Sequence, residues 1–93
     1  MQIVDIDARV TESNPTWSKF AWKLTVKNLT SSRAGFDAVI EFLDSDGFIV
    51  DDDREYGLLL APHEEGAFTG YTLIDAAVAP NVSQISAKIR QRQ

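Results

Sequence analysis

The chain has 93 residues, of which 44 % are hydrophobic and 25 % charged, and its formal net charge at pH 7 is −5. This length allows one domain, spanning residues 1–93, and these proportions are typical of a folded globular protein rather than a disordered acidic tail. The negative charge, with lysines and arginines scattered singly along the sequence, argues against binding to nucleic acid.

Cysteine is absent, which excludes disulfides, thiolate metal sites and cysteine nucleophiles but leaves the cellular compartment open. Direct membrane insertion is not expected, because no apolar run approaches the roughly 20 residues that a spanning helix needs. The N-terminal segment also lacks the basic and apolar regions of a signal peptide.

Two alternating segments open the chain and predict two strands. In the first, one face carries Val4, Ile6, Ala8 and Val10. A turn containing Pro15 follows. The second strand has an aromatic and aliphatic inner face made of Phe20, Trp22, Leu24 and Val26, and Trp17 falls on its polar side.

The third alternating segment predicts a strand that ends in a hairpin. Its inner face carries Ala38, Ile40 and Phe42. A three-residue loop over 45–47, with Gly47 in the left-handed conformation, would pair Phe42 with Val50 and Leu43 with Ile49. A two-residue loop would instead set Phe42 against Asp51 and move each side chain to the other face, so the longer loop is preferred.

The rest of the chain predicts further short strands. Tyr56, Leu58 and Leu60 indicate one segment, and residues 67–74 another, with Phe68 inward. The stretch DAAVAP predicts one helical turn that ends at Pro80. In the last segment Val82, Ile85 and Ile89 also fit helical spacing, but the strict alternation around Ile85, Ala87 and Ile89 favours a strand.

Six to seven short strands separated by turn residues predict an all-β fold. The expected architecture is an immunoglobulin-like antiparallel β-sandwich, with an open barrel as the alternative. Because the Cys…Trp…Cys signature of antibody domains is absent, Trp22 is expected to fill the core without a disulfide.

The sequence resembles the FxLYD-type domains, which are small immunoglobulin-like sandwiches found mostly in prokaryotic proteins. VKNLT supplies the asparagine of the family pattern as Asn28, Asp44 and Gly47 match its hairpin, and PHEEGAF approximates its later Pro-Gly-Glu turn and the following Phe strand, here Phe68. The match covers about residues 20–70, although Ile40, Phe42 and Leu43 replace the Phe, Leu and Tyr of the family name. The resemblance implies an accessory module of an exported or membrane-attached protein, outside the cytoplasm or in the cell envelope, without catalytic residues.

The acidic stretch EFLDSDGFIVDDD invites comparison with a calcium loop. With Gly47 at position 6 of an EF-hand loop, Asp44 and Asp46 fall at positions 3 and 5, but Phe42 occupies position 1 and Asp53 position 12. Asp51, Asp52 and Asp53 lie too far along the strand to share an ion with Asp46. The prediction is therefore no metal site, with solvated carboxylates that protect an edge strand; weak calcium binding at Asp44 and Asp46 is the alternative.

Catalytic and cofactor motifs are missing from the sequence. His63 is the only histidine and stands in a predicted exposed turn, whereas a catalytic or zinc site needs several converging groups. No serine has a G-x-S-x-G context, and no glycine pattern forms a nucleotide-phosphate loop. The chain is therefore predicted to be non-enzymatic and to bind no cofactor.

The predicted hairpin is apolar on both faces, which is the sequence feature that most favours binding. Val39, Leu43 and Ile49 point away from the core side and need a cover, either from a loop of the same domain or from a neighbouring domain, a second copy or another protein. Trp17 either closes one end of the sandwich or serves as an exposed anchor.

The function predicted first is a non-catalytic accessory module that acts as a spacer or binds another protein through an apolar face or an unpaired edge strand. The alternative is a small-ligand or carbohydrate-binding sandwich that uses Trp17 and loop carboxylates. An open Val39–Leu43–Ile49 face would favour the first function, and a concave pocket around Trp17 the second. The oligomeric state is left open.

Overall fold

The structure is a computed structural model that describes residues 1–92, and it is built almost entirely from β-strands. The elements are β1 (Gln2–Ser13), β2 (Trp17–Lys27), β3 (Ala34–Leu43), β4 (Ile49–Leu60), β5 (Glu65–Asp75), a 3₁₀ turn (Ala79–Asn81) and β6 (Gln84–Arg92). Within residues 1–92 no helix has the length and apolar composition that a membrane crossing requires.

The six strands form two three-stranded antiparallel sheets, with the orders β1-β2-β5 and β4-β3-β6. The first order corresponds to strands A, B and E of an immunoglobulin domain, and the second to strands C′, C and F. Apolar side chains of the two sheets pack against each other between the layers. The predicted immunoglobulin-like β-sandwich is therefore confirmed. The last segment forms strand β6, as predicted, and not the helix that was considered as its alternative.

The core is supplied mainly by the two central strands, β2 and β3. The inner face predicted for β2 is correct, and β3 adds alternating residues from the opposite sheet. Two edge-to-face aromatic pairs join the sheets, Phe20 with Phe42 at 5.4 Å and Phe36 with Phe68 at 5.5 Å between ring centroids. The buried apolar cluster comprises Phe20, Trp22, Leu24, Val26, Phe36, Ala38, Ile40, Phe42, Leu60 and Ile74.

Trp22 is held in this core by contacts with β5 of its own sheet and with β4 of the facing sheet. Its indole lies over Gly70, its direct partner on β5, and leaves no room for a side chain there. Its Nε1 donates a 2.7 Å hydrogen bond to Oδ2 of Asp53 on the facing sheet. Asp53 therefore faces inward, and the prediction that the three aspartates 51–53 are all solvated charges is wrong for this residue.

The predicted inner face of β1 needs one correction. A register shift between Ile3 and Asp5 makes Val4 an extra residue, so that Ile3 packs against the core and Val4 is exposed. Ile6 and Ala8 pack inward as predicted. Val10 pairs with Phe20 on the core side of the sheet, yet 49 % of it is exposed.

The hairpin register is partly as predicted. Leu43 lies opposite Ile49, as the three-residue loop requires, but Phe42 lies opposite Asp51 rather than Val50. The reason is a β-bulge in which Val50 is the extra residue. Beyond this bulge Asp51, Asp53 and Glu55 share the core-facing side of β4, and inward charges of this kind discourage an edge strand from pairing with another chain.

Two predicted elements have different boundaries in the structure. The segment around Leu58 is not a separate short strand but the end of β4, which is interrupted by a second irregularity where Gly57 adopts φ +70°. The DAAVAP stretch does not form a helical turn that ends at Pro80. Proline instead occupies the first turn of the 3₁₀ element Ala79–Asn81, where its missing N–H costs no helical hydrogen bond.

Asn28 is a fully buried polar residue at the end of β2. Its Nδ2 donates to the carbonyl oxygens of Ser32 at 2.8 Å, Ala61 at 3.1 Å and, more weakly, Leu60 at 3.5 Å. Its Oδ1 accepts from the backbone N–H of Thr30 at 3.0 Å and from that residue's hydroxyl at 2.8 Å. One amide thus ties the β2–β3 loop to the β4–β5 turn.

Asp37 holds the second β4 irregularity in place. Its Oδ1 accepts a 3.0 Å hydrogen bond from the N–H of Gly57 and a 2.8 Å bond from Nε of Arg92 on β6. The Gly57 bond, followed by the Arg92 bond, lowers the pKa of this carboxyl below its ordinary value of 3.8. Ionised Asp37 therefore stabilises the fold above that value, and the contribution is lost as the pH falls through the lower folded-state pKa.

Replacing Asp37 with asparagine is expected to make the chain less sensitive to acid. At neutral pH the Asp37→Asn variant should unfold at lower urea concentration than the unmodified chain, and the difference should shrink as the pH falls below 3.8. Urea titrations at a series of pH values measure this. Asp46→Asn is the matched control because the Asp46 carboxylate is exposed and accepts no hydrogen bond in the described chain. If the difference in urea midpoint between Asp37→Asn and the unmodified chain stayed constant with pH, ionised Asp37 would not be the source of the stabilisation.

Candidate interaction surface

The β3–β4 hairpin ends in a rigid turn, which we call the hairpin tip (Asp44–Ile49). Oδ1 of Asp44 accepts hydrogen bonds from the backbone N–H groups of Asp46 at 2.9 Å and Phe48 at 3.0 Å. The Asp44 backbone also bonds to Phe48 and Gly47. Gly47 adopts φ +85°, the left-handed conformation that the three-residue loop needs. Side chain and backbone together therefore hold the turn in one shape.

This turn presents two adjacent apolar side chains to solvent. Phe48 is 71 % exposed and Ile49 is 55 % exposed, and Phe48 is the most exposed large apolar residue of residues 1–92. Sequence reasoning assigned Phe48 no role. The exposure of Phe48 could have been inferred from its position. It follows the left-handed Gly47 and lies opposite Asp44, beyond the last residue pair of the β3–β4 ladder.

Val39 and Leu43, which were predicted to form an open face with Ile49, are only half-buried parts of a polar surface. Val39 lies between Arg54 on β4 and Lys88 on β6 in the ladder, and the aliphatic stems of long cationic side chains cover apolar neighbours. Ile49 is the member of the predicted trio that is open to water.

Glu41 lies between these two residues on the same outer face and is almost fully buried. One of its carboxylate oxygens lies 3.3 Å from Nζ of Lys88 and 3.3 Å from the hydroxyl of Ser86. A neighbouring pair, Asp52 with Arg54, is 3.5 Å apart. Within residues 1–92 this face therefore carries ion pairs of its own, one between β3 and β6 and one within β4.

Trp17 lies on the outer face of the other sheet, opposite Asp75 of β5. It is half-buried, and its backbone N–H donates a 2.9 Å bond to Oδ1 of Asn14 in the β1–β2 turn. Trp17 thus belongs to the β1-β2-β5 sheet, whereas the hairpin tip extends from the β4-β3-β6 sheet.

The same outer face carries a shallow open depression of about 800 Å³, which we call the Ala21 depression after the small residue at its centre. Its sides include Arg9, Lys19, Lys23 and Tyr71, whereas Trp17 does not line it. Nζ of Lys19 lies 4.2 Å from the centroid of the Tyr71 ring, a cation–π contact. The outer face of this sheet therefore does carry a concave site, but its exposed aromatic residue is Tyr71 and not Trp17, which was predicted to line it.

The acidic residues of the hairpin serve structural roles. Asp44 caps the turn through Oδ1, and Asp53 accepts the indole hydrogen bond. Among the residues that the structure describes, no group of three histidine, aspartate or glutamate side chains is placed to hold a metal ion. The calcium alternative at Asp44 and Asp46 therefore has no third carboxylate ligand beside it.

His63 lies in an exposed turn at the end of the sandwich away from the hairpin tip. The N–H of Glu64 donates to the carbonyl of Ala61, which closes the turn, and His63 itself has φ +57°. Glycine is the residue that adopts this left-handed conformation without strain. The histidine thus occupies a strained turn position.

Comparisons with known proteins identify the fold. No family model matches the chain, and no curated protein is similar to it at a significant level. A solved β-glucuronidase from glycoside hydrolase family 2 superposes with a TM-score of 0.75 and 12 % identity over 94 % of this chain, which spans 10 % of that enzyme. A protein from Archaeoglobus fulgidus superposes with a TM-score of 0.55 and 11 % identity, over 98 % of this chain and 94 % of that one. At such low identity the likeness shows a shared β-sandwich fold.

Proposed function

We propose that this domain is a non-catalytic module that binds another protein through the hairpin tip. The observation that carries the proposal is the exposure of Phe48 and Ile49 side by side on a turn that hydrogen bonds already hold rigid. A preorganised apolar anchor loses little conformational entropy on binding, and aromatic anchors supply a large share of the energy in protein interfaces.

The charges around the hairpin tip indicate what the partner offers. Asp46 lies in the turn itself, and Asp52 follows on the outer face of β4. A partner with an apolar pocket rimmed by lysine or arginine would bury the Phe48 ring and meet these carboxylates with opposite charge. The function proposed is therefore docking into a basic-rimmed apolar pocket of another protein.

The accessory role has two further supports. In the family 2 β-glucuronidase a similar sandwich accounts for about a tenth of the chain, so this fold occurs as a part of a larger protein. A relationship to the FxLYD-type domains is part of the proposal, supported by the buried Asn28, the Asp44–Gly47 hairpin and the Pro62 turn. The absence of catalysis is proposed because His63, the only histidine of the sequence, lies in an exposed turn.

Exchange of Phe48 for serine tests the proposal. Because the side chain is mostly exposed, Phe48→Ser should change the free energy of unfolding by no more than about 0.5 kcal/mol, while partner affinity should fall at least about tenfold. Tyr56→Ser is the control, since Tyr56 is 64 % exposed on β4 but lies outside the hairpin tip. The immobilised variants are compared for capture from an extract of the source organism, followed by titration of the purified partner. A partner that binds Phe48→Ser as well as the unmodified chain would contradict the proposal.

A second candidate function is the binding of a small ligand or carbohydrate in the Ala21 depression, favoured by the exposed Tyr71 ring beside three cationic side chains. A ligand there would shift the amide resonances of Ala21 and Thr69, whereas hairpin docking would shift those of Asp46 and Phe48. Amide chemical shifts recorded on addition of neutral and acidic oligosaccharides distinguish the two functions. If the oligosaccharides shift the amide resonances of neither the Ala21 depression nor the hairpin tip, the ligand-binding function is contradicted and the protein-binding function remains.

A further inference from the structure

Within residues 1–92 strand β6 is an edge strand: it pairs with β3 on one side, and no described strand pairs with its other side. On alternate residues its backbone N–H and C=O groups therefore point away from β3 into an unpaired edge.

The other edge strands are poorer templates for pairing. β1 is broken by two register shifts, and β4 by two irregularities and a row of inward carboxylates. Such features prevent an additional strand from forming a continuous ladder. The fourth edge strand, β5, pairs with β2 without a register shift, but it contains Gly66 and Gly70, and glycine weakens a strand. By contrast, β6 pairs with β3 over nine residues without a shift, and it contains neither proline nor glycine. Its free edge is regular along its whole length.

An apolar cleft opens beside this edge, between β1 and β6. The β1–β6 cleft has a volume of about 250 Å³, and its apolar lining residues are Ala8, Val10, Phe20, Phe42, Val82 and Ile85. Val10 faces the core side of its sheet but is 49 % exposed, so the described residues leave it open on this side of the sandwich. The opposite side, between β4 and β5, differs because β4 points Asp51, Asp53 and Glu55 inward there.

The outward face of β6 selects the charge of a strand that would pair with it. This face carries Gln84, Ser86, Lys88, Arg90 and Arg92, and β6 contains no acidic residue. In a β6–β6 pair between two copies, cations would lie opposite cations or neutral residues, without any opposite charge. Lys88 already pairs with Glu41 and Arg92 with Asp37 on β3, whereas Arg90 forms no ion pair within residues 1–92. A strand with acidic residues on its outward face would place a carboxylate beside Arg90 and gain a favourable cross-strand pair.

We propose that β6 accepts an extended segment of another protein as an additional antiparallel strand, in which apolar residues that enter the β1–β6 cleft alternate with acidic residues on the outer face. Backbone hydrogen bonds to the β6 edge supply affinity, and the cleft and the cations supply specificity. The site shares no residue with the hairpin tip, although Nε2 of Gln84 donates a 3.3 Å hydrogen bond to the backbone carbonyl of Asp44. Phe48→Ser changes neither of these groups, so it should leave binding at β6 intact.

A synthetic peptide tests this site directly. The probe has nine residues of alternating glutamate and valine with blocked ends, and its matched partner carries lysine in place of glutamate. On titration the amide resonances of β6 and of Val10 should shift, alternate β6 amides should exchange more slowly with deuterium, and the lysine peptide should bind at least tenfold more weakly at low salt. Shifts elsewhere on the chain, or none at millimolar peptide, would overturn the proposal.

Two variants of one strand provide the matched control. Val10→Glu places a carboxylate at the mouth of the β1–β6 cleft and should weaken binding of the glutamate–valine peptide at least tenfold. Val4→Glu adds the same charge at a residue that is 47 % exposed on β1 but does not line the cleft. The affinity of this variant for the glutamate–valine peptide should therefore stay within twofold of that of the unmodified chain. Equal affinities of the two variants would contradict insertion into the cleft. Sedimentation showing a stable dimer with protected β6 amides would make a second copy the occupant and also overturn the proposal.

Discussion

Replacing Asn28 with aspartate is expected to lower the free energy of unfolding by about 3–5 kcal/mol, the range observed when a buried charge is left without a partner. The two side chains have the same shape, but aspartate loses both amide donors and points a negative oxygen at the carbonyl groups of Ser32 and Ala61. Because the site is fully buried, water cannot solvate that charge. Urea unfolding followed by tryptophan fluorescence measures the loss.

Two further variants make this result interpretable. Asn28→Ala removes the hydrogen bonds without adding a charge and should cost about 2–3 kcal/mol, because the partner groups are left unsatisfied. Asn81→Asp introduces the same charge at an exposed position and should stay within about 0.5 kcal/mol of the unmodified chain. If Asn28→Asp were as stable as Asn81→Asp, the amide network would not be holding the two loops together.

The second large effect is expected for Gly70→Ala, which should destabilise the fold by about 3 kcal/mol. A Cβ at this position would lie 2.7 Å from Cε2 of Trp22 and nearer still to Cζ2. The indole has little freedom to move away, because it is buried and donates its hydrogen bond to Asp53. An aromatic ring that covers a glycine of an edge strand stabilises the sheet, and the added methyl group removes that contact.

A double-mutant cycle attributes the loss to this contact. In a Trp22→Phe background the ring is smaller and no longer fixed by Asp53, so Gly70→Ala should then cost less than about 1 kcal/mol. Gly35→Ala is the control in a central strand, where the nearest atom to the added Cβ is Cδ2 of Leu59 at 3.3 Å, the end of a flexible side chain, and the other neighbours lie at 3.6 Å or more. Equal costs of Gly70→Ala in both backgrounds would show that its effect does not arise from Trp22.

Local patterns in the sequence were sufficient for much of the fold. The alternation in β2 predicted its buried face because a central strand with one packed face has a strict period of two. Gly47 predicted the three-residue turn because the left-handed conformation favours glycine. Both predictions depend on residues close together in the chain.

The errors arose where a single extra residue changed the register. Val4 and Val50 are extra residues at register shifts, and nothing in their own side chains distinguishes a bulge from a regular strand. The inward position of Asp53 follows from the second of these shifts, and its indole partner is 31 residues away in sequence. Contacts between the two sheets of this kind cannot be obtained from periodicity.

The candidate surface was predicted less well for a related reason. Ile49 was identified because it pairs with Leu43 on the outer face, but the cover over Val39 comes from Arg54 and Lys88 on two different strands. Exposure of Phe48 depends on where the ladder ends, which is a property of the folded hairpin. An alternating pattern indicates which side a residue faces, but it does not show what lies beside it.

The buried amide of Asn28 also has a consequence for producing this protein. Asn28-Leu29-Thr30 is an acceptor sequence for N-linked glycosylation, and so is Asn81-Val82-Ser83. In the folded chain the nitrogen that would carry the sugar donates to carbonyl groups inside the sandwich, so a glycan at Asn28 is incompatible with the native state, while Asn81 is at the surface. Secretion from a eukaryotic host would therefore set glycan transfer in competition with folding, and a host without this modification avoids the conflict.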